Sequence, residues 1–327
     1  MLLASFLLQV TGSESMLNPA GAAAHRISTL GWIVFITFMV VSLIMWIIVI
    51  WVAVRRRGKL SDHAPYDATG GEPWILAGGI LIPIVVLTVM FVLSLDTMSH
   101  FPMDPKKDPP PQIIVVGHQW WWEIHYVSGP VDQHFATANE LHIPVGENVD
   151  IQLRTADVLH SFWIPRLHGK MDLVPNLPNL IRIEASHPGV YRGQCSVFCG
   201  DQHAHMAMLV IAQTPADYAS WVADQRTDGA QPTSPEAQAG EQVFLSAPCA
   251  LCHRVRGTAA DGVVAPDLTH VGSRLSLASD TLVNNRANLA AWITHAQSLK
   301  PGVEMPNLTQ FTGLQLRDMV DYLQQLQ

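Results

Sequence analysis

Four cysteines occur in the chain, and they fall into two pairs. The first lies in "CSVFCGDQHAHM", where Cys195 and Cys199 are followed by His203 and then Met206. The second lies in "CALCH", where Cys249 and Cys252 directly precede His253. A disulfide framework rarely distributes its thiols this way. Thiolate and imidazole together suit copper, and a weak methionine ligand is the usual companion at electron-transfer sites. A single-copper site of that kind needs one cysteine and two histidines. Two thiolates four positions apart can instead bridge a pair of coppers and share charge between them. The bland alternative is a Cys195–Cys199 disulfide in a surface loop of an outer compartment, which leaves His203 and Met206 without a purpose. A second histidine must come from elsewhere. "TADVLHSFWIP" supplies His160 between an apolar strand and a Trp-Ile-Pro segment, whereas His205 is nearer in sequence but alternates away from His203.

The second pair has the C-x-x-C-H spacing of covalent c-type haem attachment. Two thiols add to the haem vinyls, and the adjacent histidine, His253, is carried under the iron as axial ligand. A thioredoxin-like redox pair needs a βαβ setting that these helical surroundings lack, and a zinc site needs further cysteines that are not nearby. For the sixth ligand, "PGVEMPNL" offers Met305 just before a proline that blocks helix continuation. Methionine/histidine ligation raises the potential of haem iron. The rivals are His270, His295 and Met319, the last lying on an apolar helical stripe where a core role is expected.

These ligands need scaffolds. From Gln112 onward, short alternating runs such as "QIIVVG", "ELHIPVG", "NVDIQLR" and "LIRIEA" are broken by Gly and Pro, as in a β-sandwich or barrel. A helix follows, with Thr214 as N-cap, Pro215 in the first helical position and Asp217 in the first turn. "DGAQPT", residues 228–233, reads as a short flexible linker. Beyond it the period turns helical: Ser234-Pro235 repeats the cap-then-proline start, and "NLAAWITHAQ" is a second helical stretch. The last helix opens with Thr312 and Gln315 in capping-box spacing and carries Leu316, Met319, Val320, Leu323 and Leu326 on one stripe.

Hydrophobic residues make up 49% of the 327-residue chain and charged residues only 14%, against about 25% charged in ordinary soluble domains. Leu30–Val54 and Trp74–Leu95 contain no charge, and each reaches the roughly 20 residues that span a bilayer. Arg55, Arg56, Arg57 and Lys59 crowd the loop between them, while the outer flanks offer only Arg26, Lys106 and Lys107. The positive-inside rule therefore puts the loop in the cytoplasm and both termini outside. "MLLASFLLQV" at the start is apolar but too short to span, and neither a basic n-region nor an A-x-A site supports a cleaved signal peptide. Net charges of +1, −7 and −2 for residues 1–95, 96–234 and 235–327 give the overall −8. No basic face exists to meet phosphates, which excludes a nucleic-acid role. The acidic middle region favours a basic protein partner through electrostatic steering.

Two spans, "GHQWWWEIHY", "ADVLHSFWIP", "GKMD" and the C-x-x-x-C-x-x-x-H-x-x-M loop together resemble subunit II of cytochrome c oxidase. The appended "CALCH…APDLTHVG…EMP" resembles the fused form found in caa3-type oxidases. The resemblance implies a multidomain membrane protein: an N-terminal outer segment (1–29), a two-helix transmembrane hairpin (30–95), an all-β cupredoxin-like domain (96–227), the linker (228–233) and an all-α cytochrome c domain (234–327). It implies a dinuclear copper centre, CuA, with Cys195 and Cys199 bridging both metals. One copper also takes His160 and Met206, the other His203 and the backbone carbonyl of Val197. Haem c sits on Cys249 and Cys252, with His253 and Met305 axial. Trp120 matches the residue through which electrons reach the copper in this family. On a strand Trp120 and Trp122 would share a face, so core packing alone explains at least one tryptophan of the triplet.

The implied partners are the haem-copper subunit I, subunit III, the lipid bilayer and a reduced cytochrome c or another electron donor. The implied location is a bacterial inner membrane, with both cofactor domains on the outer side. Oxygen reduction and proton pumping would belong to subunit I. The sequence departs from the family pattern at Val197, usually Glu; at Pro175–Asn179, usually Pro-Gly-Arg-x-Asn; and at Glu72, which sits two residues before Trp74 instead of three. In the family, the glutamate at position 197 helps hold a magnesium ion at the subunit I interface. Valine cannot ligate a hard cation, so an intact CuA with weak or absent magnesium is expected. Two other readings fit parts of the pattern: the copper-containing subunit of a nitric oxide reductase, and a non-enzymatic copper-binding or assembly protein, which would need no fused haem.

Overall fold

The computed structural model describes residues 14–55, 71–101, 103 and 108–327. The apolar opening "MLLASFLLQV", the basic residues Arg56, Arg57 and Lys59, and Lys106 and Lys107 lie outside the described residues.

Two long helices, α1 (Ala22–Arg55) and α2 (Glu72–Ser99), have mean hydropathies of 3.0 and 2.8, and both extend beyond the uncharged runs read from the sequence. Their side chains are apolar all round and exposed along the length, which fits helices that meet lipid instead of a protein core. A π-helical turn, Ala77–Leu81, interrupts α2 just before Pro83, whose missing N–H already breaks the regular ladder.

The β-region forms two five-stranded sheets. The first has the order β3-β2-β1-β5-β8, built from β1 (Ile113–His118), β2 (Trp121–Tyr126), β3 (Phe135–Ala138), β5 (Val149–Thr155) and β8 (Asn179–Ile183). The second has the order β4-β10-β9-β6-β7, from β4 (Glu140–Pro144), β6 (His160–Trp163), β7 (Met171–Leu173), β9 (Gly189–Cys195) and β10 (Ala207–Gln213). Burial alternates along β1 and β2, as it must where one face of each strand meets the core. Trp122 is buried inside, Trp121 points outward, and Trp120 precedes the strand yet is also buried. The inner faces bury Ile113, Val115, Ile124, Leu153 and Phe162 in one core. The helix α3 (Pro215–Gln225) closes the sandwich, with the Thr214 hydroxyl accepting from the Asp217 amide as expected.

A second, separate core belongs to the C-terminal helices. These are α4 (Pro235–Ser246), the single turn α5 (Cys249–Cys252), α6 (Arg286–Leu299) and α7 (Gly313–Gln325). Ser234 caps α4, and Thr312 with Gln315 forms the reciprocal capping box of α7. Met319, Val320, Leu323 and Leu326 are buried. A pair of two-residue strands, β11 (Ser276–Leu277) and β12 (Leu282–Val283), and an isolated bridge between Arg254 and Asp261 interrupt an otherwise helical domain. The segment 228–233, expected to be a flexible linker, is instead held: the Gly229 amide donates to the Arg256 carbonyl and the Thr233 amide to the Gln325 side chain.

The crossing of α4 and α7 depends on Gly240, where an added Cβ would lie 1.9 Å from the Asp318 carbonyl oxygen. Nothing flexible can yield there, because the obstacle is backbone. Gly240→Ala should therefore separate the helices and cost about 1–3 kcal/mol, as overpacking of a tight contact does. Thermal unfolding of the C-terminal helices measures it, and an unchanged midpoint would refute the tight crossing.

Candidate functional site

The first cysteine pair is assembled by the hairpin between β9 and β10. Cys195 ends β9, its amide donates to the Met206 carbonyl at 2.9 Å, and the ten residues between must bulge outward as a loop. The neighbouring strand β6 pairs Phe162 with Cys195, which brings His160, two residues earlier, to the same cluster. The Cys195 and Cys199 sulfurs are 3.8 Å apart and unbonded. His160 Nδ1 lies 3.9 Å from the Cys195 sulfur, and His203 Nδ1 lies 3.6 Å from the Cys199 sulfur. Met206 Sδ is 3.8 Å from the Cys199 sulfur, and the Val197 carbonyl oxygen is 3.2 Å from that of Cys195. All six expected groups thus converge. His205 is exposed and turns to Gln202.

This donor set fits a soft, thiolate-loving metal. The cluster is buried, and His160, Cys195 and Cys199 present donor atoms within 4.8 Å of one another. Contact with Cys199 holds the Cys195 thiol well below the usual thiol range, with further help from His160, while the same contact pushes Cys199 up. One proton shared between two sulfurs is what a bridging cation replaces. Burial opposes charge on His160, but its contacts with Cys195 and Asp157 outweigh it and raise the ring's pKa. Asp157 accepts from His160 Nε2 at 2.7 Å and from the Gln119 amide at 2.7 Å. It fixes the ring so that Nδ1 is the nitrogen aimed at sulfur. The Gln119 side chain and the Trp120 indole N–H both donate to the Cys199 carbonyl. Gly200, at φ +114°, makes room: a Cβ there would sit 3.0 Å from Gln119 Nε2 and from the Trp120 ring.

The second pair borders a mostly apolar cavity of about 230 Å³, lined by Cys249, Cys252, His253, Phe244, Trp292 and Met305 among others. His253 Nδ1 is hydrogen-bonded to the Pro266 carbonyl at 2.7 Å, leaving Nε2 to ligate. Burial lowers the pKa of this ring and keeps it neutral. Gln297 donates to the carbonyls of Val303 and Met305 and so fixes the methionine loop. Of the rival sixth ligands, Met319 also lines the cavity, whereas His270 and His295 do not. The residues fit a covalently attached planar macrocycle with a histidine ligand.

Part of that cavity wall comes from the β-sandwich: Gln119, Trp121 and Asn139 line it too. The two domains meet through polar groups that sequence reasoning missed. Glu140 Oε1 accepts the amides of Leu275 and Ser276 at 2.7 and 2.9 Å. Arg192 pairs with Asp280 at 2.6 Å. Gln202 donates to the Pro301 carbonyl, and Lys300 donates to the Trp120 carbonyl.

The family "Cytochrome C oxidase subunit II, periplasmic domain" matches residues 128–213, and the family "Cytochrome c" matches residues 237–327. Cytochrome c oxidase subunit 2 of Alkalihalophilus pseudofirmus is 34% identical over 326 residues, covering 98% of this chain and 94% of that protein. The chain belongs to the cytochrome c oxidase subunit II family. Subunit 2 of Bacillus subtilis is 27% identical, covering 89% of this chain and 85% of its own length. The periplasmic domain of subunit II from Bradyrhizobium japonicum is 29% identical and covers 36% of this chain and 96% of that one, with a TM-score of 0.33. As a subunit II with a fused cytochrome c domain, the chain is a subunit of an oxidoreductase, cytochrome c oxidase. It is built to bind copper and haem.

The polar boundary between the two domains of this subunit II contains a buried carboxyl, that of Glu140. Burial pushes the Glu140 carboxyl from 4.5 up to about 7, against the pull of the Ser276 amide and Arg274. The folded state therefore holds this proton more tightly than the unfolded chain. Its contribution to stability is complete below about pH 4.5 and is lost as pH rises through about 7. Compared with Glu140→Gln, which cannot ionise, the wild type should lose on the order of 1–3 kcal/mol between pH 4.5 and 7. Thermal melts of both proteins across that range test this, and parallel curves would rule it out.

Proposed function

We propose that this chain is the electron-input subunit of a haem-copper cytochrome c oxidase. It accepts electrons from a reduced cytochrome c or a similar donor at its cytochrome c domain and passes them through its cupredoxin domain to subunit I. Subunit I, with subunit III beside it, reduces oxygen to water. The two helices anchor the chain in a bacterial inner membrane, with both cofactor domains on the outer side.

The residues divide the work. Cys195, Cys199, His160, His203, Met206 and the Val197 carbonyl would together hold the copper pair of a CuA centre. Cys249 and Cys252 would hold haem c covalently, and His253 and Met305 would ligate its iron. Bound there, the two groups supply one-electron redox chemistry. The protein keeps Cys195 and Cys199 buried and orients His160 through Asp157 and His253 through Pro266. These outer partners matter because a ligand free to rotate adds reorganisation to every electron transferred.

The observation that carries this reading is the position of Trp120. Its indole N–H donates to the Cys199 carbonyl at 3.0 Å, and a Cβ on Gly302, in the loop that leads to Met305, would lie 3.4 Å from its ring. The tryptophan thus touches both ligand loops. Only 8% of it is exposed, so it serves transfer within the chain.

Replacing Cys195 or Cys199 by Ser tests the copper assignment. The purified oxidase should lose the mixed-valence, two-copper hyperfine pattern in EPR, while the haem c absorbance persists. A variant that keeps the delocalised copper pattern would overturn the bridging role of that cysteine.

A further inference from the structure

Lys300 is 2% exposed, and lysine is almost never that deeply buried without an ionic partner. Among the described residues it forms no salt bridge. Its Nζ instead donates to two carbonyls on opposite sides of the domain boundary: Trp120 at 2.8 Å and Ala278 at 3.0 Å. The Ser279 hydroxyl donates to the same Trp120 oxygen at 2.8 Å, so both lone pairs of that carbonyl are taken by the cytochrome c domain.

Two neighbouring features show that this contact sets a position. The first is the segment that follows. Pro301 accepts from Gln202, which adjoins His203 in the copper loop, at 2.8 Å. Gly302 lies against the Trp120 ring, and Met305 follows three residues later. Residues 300–305 therefore run from a clamp on the copper side to the methionine of the haem cavity.

The second feature is the backbone of the facing loop. Ala278, Ser279 and Asp280 are consecutive non-glycine residues in the left-handed region, at φ 54°, 59° and 60°. Such strain persists only where the surroundings over-determine it. Each of the three has its own tie: Ala278 to Lys300, Ser279 to Trp120 and Asp280 to Arg192.

We propose that Lys300 is a positioning residue for electron transfer within the chain, its buried side chain clamping the cytochrome c domain onto the main chain of Trp120. This rests on the electron-input reading above. The step it serves moves one electron, oxidising the haem iron and reducing the copper pair, with no bond made or broken. Lysine is suited to the task because it reaches two carbonyls at once from the end of α6. A methionine of similar length would fill the space and hold neither.

The test uses the complete oxidase carrying Lys300→Met. Reduction of haem c by its donor should be unchanged, while onward transfer to copper, followed after rapid photoreduction of the haem, should slow by about tenfold or more, as small displacements of reacting groups do. Amide hydrogen exchange should rise at residues 278–280 and at Trp120. Ser279→Ala removes the other donor to the same carbonyl without disturbing the buried lysine, and should give the same pattern in smaller measure if Lys300→Met fails to fold. Unchanged onward transfer and exchange in a variant with normal haem and copper spectra would overturn the role of Lys300. So would an equal slowing of donor-to-haem and onward transfer. Loss of the two-copper signal in the unmodified oxidase would instead overturn the electron-input reading and leave the clamp to be judged by exchange alone, where rising protection loss at 278–280 still supports it.

Discussion

One backbone hydrogen bond, from the Cys195 amide to the Met206 carbonyl, fixes the start and end of the copper loop. Because β9 and β10 are antiparallel neighbours in a stiff sheet, their ends cannot drift apart without breaking the ladder. The loop must leave one strand and re-enter the next within a fixed gap. Sulfur, imidazole and thioether donors carried on it are then forced into one small volume. His160 is added by register alone, since β6 pairs beside Cys195. On the proposed reading, the geometry of the metal site is inherited from that of the sheet.

The boundary between the β-sandwich and the C-terminal helices is of another kind. It is made of single polar contacts between loops: Glu140 with two amides, Arg192 with Asp280, and Lys300 with two carbonyls. Buried polar groups add little net stability, but leaving one unpaired is costly. Such a boundary tolerates few relative placements of its two sides. That discrimination suits the proposed task of holding two redox pockets at one separation.

Much of this was legible in the sequence, for a physical reason. The copper loop and the haem turn carry their ligands at short, fixed spacings, so Cys195, Cys199, His203, Met206, Cys249, Cys252 and His253 could be read as units. Caps at Thr214, Ser234 and Thr312 were readable for the same reason, being local. His160 was harder, 35 positions away from its partner, and came from an apolar strand pattern and a family likeness. Asp157, Glu140 and Lys300 could not have been found. Each looks like an ordinary surface charge until tertiary packing brings distant carbonyls or amides against it. The segment 228–233 misled because Gly and Pro mark a break in periodicity, which says nothing about whether the chain there is held.

Trp120 lies beneath a domain of its own chain, and this alters what natural selection can see. A tryptophan that receives electrons from a separate protein must sit in a surface patch able to recognise that stranger. Under a permanently attached partner, the patch need only match a neighbour encoded by the same gene. Changes on either side are inherited together, so a substitution at Glu140 or Arg192 and its answer in residues 275–280 travel as one lineage. On the electron-input reading, the burden of recognising a donor shifts to the far side of the cytochrome c domain, leaving the inner face free to diverge.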